Sequence, residues 1–193
     1  MSRGDSWNTP HEIAALVRRF WPWGLDLDPC SNPGSVMGGR VRVFAPLEVE
    51  GAPTAEELVE PLGLSLGLPD LEAGVIRDGL AFDWSSASGS PPVCAYVNPP
   101  FSAPTPWAER CRRYALEGSV ESLLMVPVQT SSAWWRANLW PAPAICFLHK
   151  RIAFLDDGVP VKGNPRDSAL VYHGAEVWRF RQIFGTVGEV RTP

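Results

Sequence analysis

Apolar positions along the chain switch between helical and strand spacing, and the switches predict the elements. Ile13, Leu16, Val17 and Phe20 share one face at helical spacing. Thr9-Pro10-His11-Glu12 reads as the start of that helix: Thr9 as cap, Pro10 at the first helical position, Glu12 closing a capping box. Trp21-Pro22-Trp23-Gly24 ends it. Leu25-Asp26-Leu27-Asp28 then reads as a short strand running into the turn Pro29-Cys30-Ser31-Asn32-Pro33-Gly34, and Val41 to Phe44 as a second strand. Val93 to Val97 is almost wholly apolar, as expected of a strand buried on both faces. Pro106 starts a helix with Trp107, Cys111, Tyr114 and Ala115 on one face. Leu123 to Val126 and Ala144 to Leu148 are further buried strands, separated by a helix capped by Ser131 or Ser132. Ile152-Ala153-Phe154 and Ala169 to Tyr172 read as a closing antiparallel pair joined by a polar loop over 156–167. A Gly-, Pro- and Leu-rich stretch over 45–77, with a short helix over 54–60, reads as an insertion or long loop.

Strands alternating with helices predict a three-layer α/β domain with a mainly parallel sheet. Such sheets bind ligands outside the carboxyl ends of their strands. Two segments fall there, Asp28-Pro29 and Asn98-Pro99-Pro100-Phe101.

Composition narrows the field. The 193 residues suit one domain spanning 1–193, and 45% hydrophobic residues suit a globular one. The net charge of −4 argues against a non-specific nucleic-acid coat but leaves room for an enzyme with a local basic patch. No apolar core follows Met1 to Asp5, so no signal peptide is read. No apolar run approaches the ~20 residues of a membrane span. Cys30, Cys94, Cys111 and Cys146 are scattered without a C-x-x-C pair, which argues against a zinc site and fits the reduced thiols of a cytoplasm.

The strongest chemical signal is Asn98-Pro99-Pro100-Phe101. Asn-Pro-Pro-aromatic arises by chance in about one chain of this length per several hundred, and here it follows a buried strand. The loop suits an amine whose lone pair is conjugated into a ring, such as that of adenine. An acceptor for each amine hydrogen draws the nitrogen toward tetrahedral geometry and frees the lone pair. Asn98 offers a side-chain carbonyl oxygen and Pro99 a main-chain one. The two prolines fix φ and hold the loop ready. Phe101 offers a flat ring for an extracted base, which must leave the duplex to reach it.

In order along the chain, Trp7-Asn8-Thr9-Pro10, Leu25 to Cys30, Arg77-Asp78-Gly79-Leu80 and Asn98 to Phe101 resemble the marks of the Dam-like, phage-type DNA adenine methyltransferases. Ala108 to Gly118, Leu124 to Pro127, Lys150 to Phe154 and Ser168 to Val171 are similar to its helix, following strand and closing hairpin. The resemblance implies a Rossmann-like fold with an antiparallel last strand. It also implies S-adenosylmethionine as methyl donor, DNA as partner, and a cytoplasmic setting, that of the host for a phage-encoded protein. Within it, Asp28 is the candidate partner for the donor's ammonium group, through charge-assisted bonds. Pro29 and Cys30 continue that segment, and Asp78 resembles the acid that accepts from the donor's adenine. Thr9 and Pro10 resemble a donor-contacting segment. Glu48 and Glu50 are the candidates for a ribose partner. The chain departs from many methyltransferases in lacking a glycine-rich turn after its first strand.

Lys150, Arg151, Lys162 and Arg166, with His149 beside them, form the candidate DNA patch. Arg110, Arg112 and Arg113 read instead as the outer face of a helix. The Asn98 loop serves any planar nitrogen, so a methyltransferase acting on RNA or a protein amide stands as an alternative. A non-catalytic nucleic-acid-binding module with the same fold stands as another.

Overall fold

The computed structural model describes residues 7–32, 34–44, 78–88, 90–161 and 166–193. The elements are α1 (His11–Phe20), β1 (Leu27–Ser31), β2 (Val41–Phe44), β3 (Val93–Val97), α2 (Thr105–Glu117), β4 (Val120–Pro127), α3 (Ala133–Asn138), β5 (Ala144–Leu148), β6 (Leu155–Asp156), β7 (Val159–Pro160), β8 (Ser168–His173), α4 (Val177–Phe184) and β9 (Gly188–Arg191), with a 3-10 turn at Trp84–Ala87. The fold is mixed α/β. A seven-stranded sheet has the order β2-β1-β3-β4-β8-β5-β9. β1 pairs in parallel with β2 and β3, and β3 with β4. β8 is antiparallel to both β4 and β5, and β9 is antiparallel to β5. β1 to β5 therefore point one way, and β8 and β9 the other.

The apolar runs are continuous because the sheet is covered on both faces. Cys94 and Tyr96 of β3 pack into one core with Ile13, Val17 and Phe20 of α1 and Phe180 of α4. Val93, Ala95 and Val97 pack into the other, with Trp107, Ala108 and Cys111 of α2 and Trp135 of α3. Ser132 caps α3, accepting from Trp135 N–H. α2 carries Pro106 in its first turn and ends at Gly118, whose φ of 70° suits a residue without a Cβ.

Several local expectations are corrected. Thr9 and Glu12 do not cap α1: Pro10 holds the N-cap position and no side-chain cap bond forms. The first strand begins later than the apolar pattern predicts, at Leu27–Ser31, so Pro29, Cys30 and Ser31 are strand and not turn. The physical reason is Asp26, whose carboxylate takes the Cys94 N–H at 3.0 Å where a main-chain carbonyl would otherwise pair. Ile152 to Phe154 is not a strand. Ile152 and Phe154 are buried in the α1-side core, and the alternation reflects that packing and no ladder. The partners of Ala169 to Tyr172 are instead β4 and β5. The loop over 156–167 holds part of a hairpin, β6 with β7, turned by Asp157 and Gly158 at φ 47° and 78°. α4 and β9 are additions to the elements read from the pattern. The stretch 45–77 and the helix over 54–60 lie outside the described residues.

Candidate active site

The site grows from two strand ends. Leu27 of β1 is in register with Ala95 of β3, so the residues after them emerge side by side. Asp28 lies in β1 with its side chain buried, and its carboxylate accepts from the Ser35 hydroxyl at 3.0 Å. Burial pushes this carboxyl up from 3.8 to about 6, against the smaller opposing effect of the Ser35 bond. Cys30 faces the start of the catalytic-loop candidate, with the Asn98 main-chain N–H directed at its thiol.

A third segment closes on this corner. A Cβ on Gly79 would stand 2.0 Å from the Pro29 carbonyl, so only glycine lets the 78–80 turn lie against β1. Asp78 shapes the turn, its Oδ1 accepting from Leu80 N–H at 2.8 Å and Ala81 N–H at 3.3 Å. Trp84 Nε1 donates to the Gly79 carbonyl at 2.8 Å. Arg110 of α2 donates to the Leu80 and Phe82 carbonyls, fastening the turn to the helix. Asp28, Pro29, Cys30, Asp78 and Asn98 are thus brought together from three separate stretches of the chain.

The N-terminal segment covers the same corner. Asn98 Nδ2 donates to the Trp7 carbonyl at 3.1 Å, which leaves Oδ1 as the amide's acceptor for a ligand. Thr9 is buried, and its hydroxyl pairs with that of Tyr96 at 3.0 Å. Pro10 follows as the N-cap of α1. Phe101 is half-buried and meets Phe154 edge-on, with ring centroids 5.4 Å apart. Pro99 and Pro100 complete the loop ahead of α2.

The basic candidates sit on the same edge, but farther out. β5 lies three strand positions from β3, about 14 Å at normal spacing. Lys150 and Arg151 follow its carboxyl end and are exposed. Arg151 pairs with Asp167 at 3.1 Å. Arg166 is exposed beside them, while Lys162, Glu48 and Glu50 lie outside the described residues. Sequence reasoning passed over Ser35 and Tyr96 at this corner, and took Trp7 only as the first residue of a family mark. Tyr96 carried a signal, a hydroxyl in an otherwise apolar strand; Ser35 carried none.

The donor set fits a ligand with a cationic end: a carboxylate buried within β1, raised by desolvation and short of full compensation, gains from an ammonium beside it. Among the described residues no group of three or more His, Cys, Asp or Glu side chains is placed to hold a metal ion, and no helix is long and apolar enough to cross a membrane.

A mostly parallel α/β sheet with a polar corner at the carboxyl ends of β1 and β3 is an architecture for binding and acting on a ligand there. The chain belongs to the Dam family, DNA N-6-adenine-methyltransferase, whose family model matches residues 75–187. At the level of that family the protein is a DNA adenine methyltransferase enzyme. The matched span includes Asp78, the Asn98 loop, Lys150 and Arg151, and excludes Thr9, Pro10 and Asp28 to Cys30. No curated protein and no solved structure matches the chain.

Proposed function

We propose that the protein transfers a methyl group from S-adenosylmethionine to the exocyclic N6 amine of adenine in DNA, on a Rossmann-like methyltransferase fold. The observation that carries the reading is the Asn98 amide, fixed by its bond to Trp7 so that an acceptor oxygen is presented beside the β1 end. Family membership supports the base and the polymer.

Asp28 holds the donor's ammonium group, and Pro29 and Cys30 form the wall behind it. Asp78 receives the donor's adenine through the carboxylate oxygen opposite its turn bonds. Thr9 and Pro10 lie along the same ligand from the N-terminal side. When bound, S-adenosylmethionine would supply the electrophilic methyl group and leave as the neutral thioether. Asn98 Oδ1 and the Pro99 carbonyl accept hydrogen bonds from the two N–H groups of the target amine, which localises its lone pair, and one amine proton is lost to solvent as the nitrogen takes the methyl group. Pro100 holds the loop rigid, and Phe101 stacks on the flipped base. Lys150, Arg151, Lys162 and Arg166 bind phosphates of the flanking strand, and base readout comes from the short loops on this edge.

The test is Asn98→Ala, assayed with labelled donor against DNA, RNA and protein. Loss of one acceptor acting in the transition state typically costs ~10²–10³ in rate. The expected result is that fall in DNA methylation, with donor affinity and melting temperature unchanged. A variant keeping more than half the wild-type rate refutes the role of Asn98. Methylation of RNA or protein in preference to DNA would move the reading to the alternative substrates.

A further inference from the structure

The segment Trp7 to Thr9 is tied to the rest of the site at three places. Its main chain makes two bonds with Leu155, Asn8 N–H to the Leu155 carbonyl and Leu155 N–H to the Asn8 carbonyl, both 2.8 Å. The Trp7 indole stacks on Phe154 at 6.2 Å between centroids, 25° from parallel. The Thr9 hydroxyl meets Tyr96 on β3. These ties set the Trp7 carbonyl 3.1 Å from Asn98 Nδ2. Phe154 is buried and touches Phe101 as well, so the same ring seats both the strap and the far end of the Asn98 loop.

An asparagine amide has a donor end and an acceptor end of nearly equal shape. Turned by 180°, it would present N–H bonds to an amine that must itself donate. We infer that Trp7 is a positioning residue for methyl transfer, and that the strap from Trp7 to Thr9 selects the amide face of Asn98 that accepts from the target. This rests on the reading of Asn98 as the acceptor. Trp7 acts through its main-chain carbonyl and touches no substrate; the indole keeps the carbonyl in place.

Asn98→Asp isolates the effect. Its carboxylate still offers an oxygen to the target amine, but turns a second oxygen toward the Trp7 carbonyl, where a donor is needed. Protonation of that oxygen restores a donor. The experiment measures kcat and KM for DNA from pH 8 to pH 5.5 for wild type, Trp7→Ala, Trp7→Phe, Asn98→Asp and the double variant Trp7→Ala/Asn98→Asp, with melting temperatures and donor affinity alongside.

Loss of one neutral hydrogen bond shifts a two-state orientation by about 2- to 10-fold. Trp7→Ala therefore lowers kcat by about 2- to 5-fold without raising KM, and Trp7→Phe, which keeps a stacked ring, recovers most of the loss. Asn98→Asp loses about 10-fold or more at pH 8 and regains activity relative to wild type as the pH falls. In the Asn98→Asp background Trp7→Ala raises kcat, because releasing the carbonyl relieves the repulsion. Thr9→Val, which cuts the tie to Tyr96 without altering a ring, moves kcat in the same direction as Trp7→Ala and carries the cycle should that variant fold poorly. Equal losses from Trp7→Ala in both backgrounds, a pH-independent ratio of Asn98→Asp to wild type, or a raised KM for DNA in Trp7→Ala would each overturn the inference. Activity retained by Asn98→Ala would instead refute the reading of Asn98 itself.

Discussion

Replacing Asp28 with asparagine removes a charge and little else. The amide keeps an oxygen to accept from Ser35 and fills the same space in β1. The carboxyl is raised from 3.8 to about 6, first by burial. Two pH units correspond to about 3 kcal/mol of penalty on the ionised form. Imperfect satisfaction of the new amide N–H groups offsets about 1–2 kcal/mol of that. Because the folded-state value is raised, the folded protein holds a proton that the unfolded chain has released between pH 4 and 6. Stability from this group is present below pH 4 and falls as the pH rises through 6. Asp28→Asn should therefore fall about 1–2 kcal/mol below wild type near pH 4, where the ionisation penalty is absent, and exceed it by about 1–2 kcal/mol at pH 7, raising the melting temperature there by about 2–8 °C. The same change should weaken S-adenosylmethionine binding by about 1.5–3 kcal/mol, a 10- to 150-fold rise in Kd. Thermal denaturation across pH and calorimetry with the donor read the two effects. A lowered melting temperature at pH 7 would make Asp28 a structural fixture of the Ser35 turn, and an unchanged Kd would remove it from the donor site.

Phe101→Ala should cost about 1–3 kcal/mol in DNA-dependent turnover with donor Kd unchanged, while Phe101→Trp keeps much of the activity; equal losses in the two would make Phe101 a packing partner of Phe154 only. Lys150→Ala with Arg151→Ala should flatten the dependence of DNA affinity on salt by about one counterion for each phosphate no longer neutralised, measured by titration at several ionic strengths. Arg112→Ala with Arg113→Ala, on the outer face of α2, is the control, and weakened binding there instead would move the DNA to the α2 side of the domain.

The elements legible in the sequence are those whose burial is uniform. β3, β4, β5 and β8 are covered on both faces, so their residues are apolar at successive positions and their existence follows from the run itself. β9 reads Gly-Glu-Val-Arg because it lies at the sheet edge, where Glu189 is exposed and only half of the pattern is apolar. Alternation misleads at Ile152 to Phe154, where buried side chains on a segment outside any strand imitate period two. The strand at Leu27–Ser31 starts later than its hydropathy implies because Asp26 lends a side-chain oxygen to a ladder bond, which no hydropathy pattern records.

The site divides along the same line. Asn98, Pro99, Pro100 and Phe101 are adjacent, and their shared chemistry is visible without a fold. What aims them is not local. The carbonyl that orients the Asn98 amide lies 91 positions away, and it belongs to a main-chain group, so the identity of residue 7 enters only through the ring that rests on Phe154. A reading by side-chain type assigns Thr9 to a cap or a ligand; the cap does not form, and the hydroxyl secures the strap to the strand that leads into Asn98. The two polar groups at the core of the site also carry opposite costs. Burial disfavours the ionised form of Asp28, and Ser35 and Arg42 offset this only in part, while the Asn98 amide already donates to the Trp7 carbonyl. Under the proposed function, a carboxylate held at this cost and an amide already oriented would make ligand entry stabilising at the first and leave nothing to reorganise at the second.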